Sequence, residues 1–319
     1  MLRRTCLKLA ALLAATAMTV LPAAAQEAYP DRPITMILPL GAGGSHDINA
    51  RVVTSILPTY LEQPVVVRLM PGGSGQIGTA AAAESPADGY TLLFSHNFFD
   101  QLQHHLVDLP YAPLDDFVTV ARLNAAPLTI VVRSDAPWQT LEEMLDHGRE
   151  NPGELRFGHS GNWGAIMVPG AQLMQQAGVE AAFTPYQGGG PTVQGLLAGD
   201  VDFSMMFPAV IEAQGDALRP LATAAASRLY EDVPTLEELG YGGNVSDMHR
   251  IVLAPAGIPE DRLAVLRQAF VDLQDDRTFQ RMTQQLGEDP STFMTGQDYD
   301  AMRPELSEDY RQLIEGFSG

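Results

Sequence analysis

Cysteine and lysine occur once each, as Cys6 and Lys8, and both fall within the first ten residues. Everything after residue 25 is free of both. No disulfide, cysteine-held zinc, iron–sulfur cluster or thiol nucleophile can be assembled from that part of the chain. Every basic side chain there is an arginine. Long apolar runs are also missing, since none after residue 25 approaches the roughly 18 residues of a membrane span. No basic run interrupts an acidic chain of net charge −20. Such a surface repels phosphate backbones and anionic lipid, which argues against nucleic acid as a partner.

What the chain does have begins with its first 25 residues. Arg3, Arg4 and Lys8 precede an apolar stretch from Leu9 to Leu21, and Ala23-Ala24-Ala25 offers small residues for cleavage. That is the layout of a secretory signal peptide over residues 1–25. Arg3-Arg4 with Leu7-Lys8 also resembles a twin-arginine signal, and Sec and twin-arginine export both fit. Cys6 lies far ahead of the cleavage point and is not placed as a lipoprotein anchor. The expectation is a protein outside the cytoplasm, with no membrane insertion after signal removal. Cleavage would take three of the 19 basic residues and none of the 39 acidic ones, leaving 294 residues with a net charge of −23.

Short β-rich runs alternate with helical spacing over most of this length. ITMILPL (34–40), PVVVRL (64–69) and YTLLFS (90–95) read as buried strands, with helices over about 47–61 and 75–84. A second series follows in LTIVVR (128–133), LRFGHS (155–160), AAFTPY (181–186), VDFSMMF (201–207) and LRPLATAA (218–225). Thr140 and Glu143 form a capping box at the start of TLEEMLDHGREN. HRIVLAP (249–255) is one more strand, and consecutive helices complete the chain. Alternation of this kind predicts parallel sheets covered by helices, here as two α/β lobes.

The glycine-rich segments carry the chemistry. Gly73-Ser74-Gly75-Gln76-Ile77-Gly78 matches the dinucleotide-binding spacing, after a strand and before a helix. The next strand should then end in an acidic residue for the ribose, and it ends in Ser95-His96-Asn97 instead. Tight helix–strand packing explains these glycines better. Ser45, His46 and Asp47 are adjacent and cannot form a relay of three side chains, and no G-x-S-x-G elbow exists. None of the seven histidines pairs at the i,i+4 spacing of a helical zinc site, so neither a metal nor a cofactor is expected. Three loops remain: GAGGSHD (41–47), GHSGNWG (158–164) and YQGGGP (186–191), each after a strand and before a helix. Helix N-termini with free N–H groups attract anions. Loops of this kind from both lobes suggest a cleft that holds an anion with backbone amides and no catalytic group.

From Tyr29 onward the sequence resembles the substrate-binding receptors of tripartite tricarboxylate transporters, the TctC or Bug family. The resemblance is carried in order by YPDRPITMILPLGAGGSHDINAR, QPVVVRLMPGGSGQIG, SPADGYTLLF, YAPLDDF, NPGELRFGHSG, TPYQGGGP, LLAGDVD, DVPTLEELGY and LAPAGIP. It implies an α/β, two-lobed periplasmic binding protein of type II, or Venus-flytrap, architecture that closes on a small organic carboxylate. It also implies delivery to membrane subunits of the TctA and TctB type. A ligand sensor for a signalling kinase and an exported enzyme on the same fold are the alternatives. The chain should cross between lobes near Leu123–Ala126 and near Ser246–His249. Lobe one would join residues 26–124 to 248–319, and lobe two would be 125–247.

In this family backbone amides and ordered waters hold the carboxylate, with the first glycine loop central. The implied site takes in Leu40, Gly41, Ala42, Gly43, Gly44, Ser45 and Asp47. His96 follows the third strand, Ser160, Gly161, Asn162 and Trp163 form the second loop, and Tyr186, Gln187 and Gly188 open the third. Phe207 and His249 complete it. Several positions depart from the family's pattern: Asn162-Trp163-Gly164 in the second loop, Gln187 where a lysine is common, His249 near a frequent tryptophan, and Phe207-Pro208 in place of a more polar end. These departures suit a larger or aromatic acid better than succinate or malate. Trp163 has two open readings, an indole face for the ligand's carbon skeleton or a packing residue.

The excess of acidic groups predicts that salt stabilises the protein. Raising ionic strength from 0.01 M to 1 M shortens the Debye length from about 30 Å to about 3 Å and screens self-repulsion. The melting temperature should rise between low and molar NaCl; a flat or falling curve would refute this.

Overall fold

The computed structural model describes residues 28–242 and 247–317. The expected signal peptide, residues 1–25, lies outside the described residues, as does Ser246 of the expected second crossing. One sheet contains β1 (Ile34–Leu38), β2 (Val65–Leu69), β3 (Thr91–His96), β4 (Phe117–Ala126), β10 (Met248–Pro255) and β11 (Met294–Thr295), in the order β11-β4-β10-β3-β1-β2. The other contains β5 (Leu128–Arg133), β6 (Arg156–His159), β7 (Ala182–Pro185), β8 (Phe203–Met206) and β9 (Leu218–Ala224), in the order β7-β6-β8-β5-β9. Among the described residues, no helix is long and apolar enough to cross a membrane.

Strand alternation gives each sheet two apolar faces, both covered. Ile34, Met36 and Leu38 of β1 join one core cluster, and Ile37 joins another on the opposite face. Ile130 and Val132 of β5 likewise face one cluster and Val131 another. Both faces are buried, so the strands read as nearly continuous apolar runs.

The sheets are mixed, which corrects the expectation of parallel ones. β1 pairs parallel with β2 and β3, and β6 parallel with β7 and β8. β10 runs antiparallel to β3 and β4, and β5 antiparallel to β8 and β9. The exceptions are strands that carry the chain between sheets. β4 passes through Pro127 straight into β5, and β10 returns from the second sheet to lie between β3 and β4. β4 is also the strand that the sequence pattern hides. Arg122 and Asn124 interrupt its apolar residues, and each is satisfied internally, Arg122 by the carbonyl of Thr292 and Asn124 by Arg250 and Glu288.

The helices that matter for the site are α1 (Ser45–Ile56), α2 (Gln76–Ala83), α3 (Leu141–Glu150), α4 (Met167–Ala177), α5 (Gly189–Ala198) and α6 (Pro208–Gln214). α7 (Glu260–Asp275), α8 (Arg277–Gln285) and α9 (Gly296–Phe317) complete the chain. At the start of α3 the Thr140 hydroxyl accepts the N–H of Glu143 at 3.2 Å, while the Glu143 carboxylate takes the N–H of Gln139 rather than that of Thr140.

The second sheet's main core cluster is completed by residues of the first lobe. Phe98 and Leu102, from a π-helical turn after β3, and Tyr310 of α9 pack in the same cluster as Leu128, Phe157 and Phe203. Arg303 fixes α9 to that turn through two 2.8 Å hydrogen bonds to the buried carboxylate of Asp100. Along this edge, beside the β4–β5 crossing, the two lobes share one apolar interior.

Candidate functional site: the cleft between the glycine loops

A further meeting of the two lobes is made by backbone. The loop that precedes α1 and the loop that precedes α5 meet directly, and the N–H of Gly41 donates to the carbonyl of Gln187 at 2.9 Å. A Cβ at Gly44 would lie 2.9 Å from the nitrogen of Gly190, and one at Gly190 would overlap the carbonyl of Ala42. Only glycine permits this approach. Gly43 adopts a left-handed φ of 77°, and its N–H donates to the Asp47 carboxylate at 2.9 Å. Asp47 also pairs with Arg51 at 2.9 Å, so this aspartate shapes the loop from within the helix's first turn.

A second contact joins the lobes through the segment with dinucleotide-like spacing. Ser74 sits at a left-handed φ of 53°, and its hydroxyl accepts the N–H of Asn162 at 2.9 Å. Gly161 approaches the same serine, and Gln103 donates to its carbonyl at 3.0 Å. Ser74 therefore makes the contact across the cleft, while Gly75 packs closely on Phe99 and Gly78 on Pro39 and the Met70 carbonyl within their own lobe.

Between the contacts lies a cavity of about 20 Å³, room for a single water-sized group. Of the residues expected at a binding site, Leu40, Gly41, Gly44, Ser45, His96, Ser160 and Phe207 line it. His46, Ala165, Ile166, Gly189, Met206, Val210 and Met248 line it as well and were not foreseen. Ala42, Gly43 and Gly188 lie in the abutting loops; Gln187 contributes its carbonyl, and its side chain is exposed. The ring of Tyr186 lies over Gly158 and Gly195, behind the loop.

Two of the expected residues are placed elsewhere. Trp163, at a left-handed φ of 57°, borders a separate apolar groove of about 320 Å³ with Leu102, Leu106, Met167, Val168, Ala171 and Ile314. His249 points away from the cavity toward α9, with Nδ1 3.1 Å from the Tyr299 hydroxyl. Strand alternation explains this placement. Met248 faces the cavity, so its neighbour His249 falls on the other side of β10.

Electrostatically the cavity is bordered by helix N-termini and by neutral side chains. Among the described residues, no Asp, Glu, Lys or Arg lines it. α5 and α6 carry no acidic residue in their first turns. An N-terminus acts as roughly half a positive charge, and α1 and α5 bring two of them together at Gly44 and Gly190. His46 and His96 stand with ring centroids 5.0 Å apart. Burial holds the His46 imidazole well below its ordinary pKa, helped by His96 and the Arg250 charge. Burial and Arg250 push His96 down to about 3.

Beneath the loop runs a buried ionic network that the sequence reading missed. Arg250 and Glu288 are fully buried and paired through two hydrogen bonds of 2.7 and 2.8 Å. Arg250 also donates to Asn124 at 2.8 Å and to the Ser45 hydroxyl. Asn49 donates to the Ser45 carbonyl at 2.9 Å. Strands β4 and β10, α1 and the loop after α8 are thus tied together at the first residue of α1. An arginine set in the apolar run RIVLAP was the available signal, because a charge there must find a buried partner.

Residues 49–318 match the family model described as the tripartite tricarboxylate transporter family receptor. The chain belongs to this family. It is 36% identical over 263 residues to Protein BugT of Bordetella pertussis, covering 80% of this chain and 79% of that protein. Its fold superposes on the periplasmic binding protein BugD with a TM-score of 0.86 and 26% identity, over 90% of this chain and 98% of that one. MatC from Rhodopseudomonas palustris with bound malate gives a TM-score of 0.84 at 24% identity, over 90% of this chain and all of the other. A two-lobed receptor fold is thereby shown for this member of the family.

Two measurements check this geometry. Gly190→Ala should weaken ligand binding more than Ser45→Ala, because it blocks closure where the serine change removes one hydroxyl hydrogen-bonded to Arg250, worth about 1.5–3 kcal/mol. Calorimetry on freshly released ligand would compare them, and tolerance of Gly190→Ala would contradict the backbone contact. The second concerns pH. His46 and His96 are held neutral below the unfolded value of 6.5, so the stability that they contribute is complete above pH 6.5. It falls as the unfolded chain takes up protons, by up to about 1.4 kcal/mol per pH unit for each histidine. Urea unfolding between pH 7.5 and 5.5 should show this decline, and a level stability would refute the neutral pair.

Proposed function

We propose that this protein is a periplasmic solute receptor that captures a small organic carboxylate between its lobes and delivers it to a tripartite tricarboxylate-type transporter. The membrane partners would be subunits of the TctA and TctB kind. The protein acts by binding and closure, without chemical turnover. The observation that carries this reading is the meeting of two helix N-termini at Gly44 and Gly190 beside a cavity with no acidic side chain, in a chain with 39 acidic residues. An anion between the loops is attracted by both lobes at once, so it favours the closed arrangement over the open one. Differential affinity for two states is the physical requirement for ligand-driven closure. The malate in MatC, a protein of the same fold, supports the same class of ligand here.

The moving units would be residues 26–124 with 248–319, and residues 125–247. A cavity of about 20 Å³ admits no carbon skeleton, so entry needs the lobes to separate. A preference for an acid with an apolar body rests on Leu40, Ile166, Met206 and Phe207 around the cavity, and not on Trp163 in its separate groove.

Mass spectrometry of ligand released from freshly purified protein, followed by calorimetry, tests the proposal. A carboxylic acid should be recovered, and the same skeleton as its primary amide should bind at least about tenfold more weakly, since a charge-assisted hydrogen bond is worth about 1.5–3 kcal/mol. Conversion of the acid to a product by the purified protein, or equal binding of acid and amide, would overturn it.

A further inference from the structure

The two histidines that line the cleft have no part in holding a carboxylate on backbone amides. We infer that His46 and His96 form a neutral reading head for an uncharged hydroxyl or carbonyl group on the ligand, so that the preferred ligand is a hydroxy- or oxo-monocarboxylate rather than a dicarboxylate. The inference rests on the receptor reading above and deepens it.

His96 is 2% exposed, yet it lines the cavity, and its buried Nδ1 has no hydrogen-bond partner. Buried polar nitrogens are rarely left unsatisfied, because each costs about 1–3 kcal/mol. His46 is 4% exposed and lies beside it, with Nε2 3.4 Å from the Ser95 carbonyl. A ligand group that reaches the cavity therefore meets a ring that carries, among the described residues, a buried nitrogen without a partner.

The charge of that partner follows from what surrounds the rings. Phe94 faces His46, and Phe98 and Phe99 face His96. The charged groups nearby are Arg250, paired with His96 across the β3–β10 ladder, and Glu288, which neutralises Arg250 through a bidentate contact. Protonating either imidazole would place a second cation beside Arg250 among aromatic rings. The imidazoles stay neutral, and neutral imidazole offers one donor and one acceptor. A hydroxyl can use either one, and a carbonyl can use the donor. A second carboxylate would be buried without a counter-charge, since no lysine or arginine lines the cavity and Arg250 is already committed.

The test uses two matched series on the whole mature protein: butanoate, 4-hydroxybutanoate and succinate, and benzoate, 4-hydroxybenzoate and terephthalate. Calorimetry should place the hydroxy acid tightest within the better-bound series, about tenfold ahead of the parent acid for one satisfied buried nitrogen. In His96→Leu the ratio of hydroxy acid to parent acid should fall toward one. In His96→Arg the dianion should gain on the hydroxy acid. The wild-type ranking needs no variant, so misfolding of either substitution does not remove the test. Tightest binding of succinate or terephthalate to wild type would overturn the inference and leave the carboxylate receptor standing. An unchanged ratio in folded His96→Leu would do the same. Failure of every acid in both series would remove the receptor reading and this inference with it.

Discussion

Two backbones approach each other at Gly44 and Gly190 more closely than any side chain allows, and the cleft takes its form from that contact. It sets two helix N-termini face to face and lets one main-chain hydrogen bond, from Gly41 to Gln187, span the lobes. Partial positive charges brought together in this way repel unless something negative lies between them. Asp47 already answers part of this charge in the first turn of α1, and in the proposed receptor an anion beside both N-termini would favour their approach. In the proposed receptor, recognition of the ligand's body would fall to the cavity walls and the affinity for its charge to the main chain.

The contact depends on a firm floor. Ser45 begins α1, and its hydroxyl is held by Arg250, which is itself locked to Glu288 and Asn124. Breaking such a fully buried pair from one side typically costs about 3–5 kcal/mol, because the other charge is left uncompensated. The pair is thus a registration device. It fixes where α1 starts relative to β4 and β10, and so where the glycine loop stands. The same guanidinium lies 5.5 Å from the ring centre of Phe207, which lines the cavity from the second lobe.

Much of this was legible in the sequence, and the failures have physical causes. The apolar strands and the three glycine loops were readable because each follows a local rule, burial on both faces in one case and close approach in the other. β4 was hidden because Arg122 and Asn124 break its apolar run, and their partners lie far along the chain at Thr292, Glu288 and Arg250. Arg250 itself was passed over for the same reason: its role is fixed by Glu288, 38 residues away. His249 was chosen and Arg250 was not, although strand alternation places only one of two neighbours on a given face. Trp163 sits in the correct loop, but its left-handed backbone turns the indole out toward another groove. Local pattern finds the loop, and long-range pairing decides which of its side chains look inward.

The shared apolar interior beside the β4–β5 crossing has a mechanical meaning. Phe98, Leu102 and Tyr310 sit in the core of the opposite lobe, so parting the lobes there would expose apolar surface to water. Parting them at the glycine loops would expose peptide groups and the few apolar side chains that line the small cavity, such as Leu40, Met206 and Phe207. In the proposed receptor this shared core would act as the spine about which the lobes open. A solute held there would then leave past the glycines, at a rate set by how readily those two loops part.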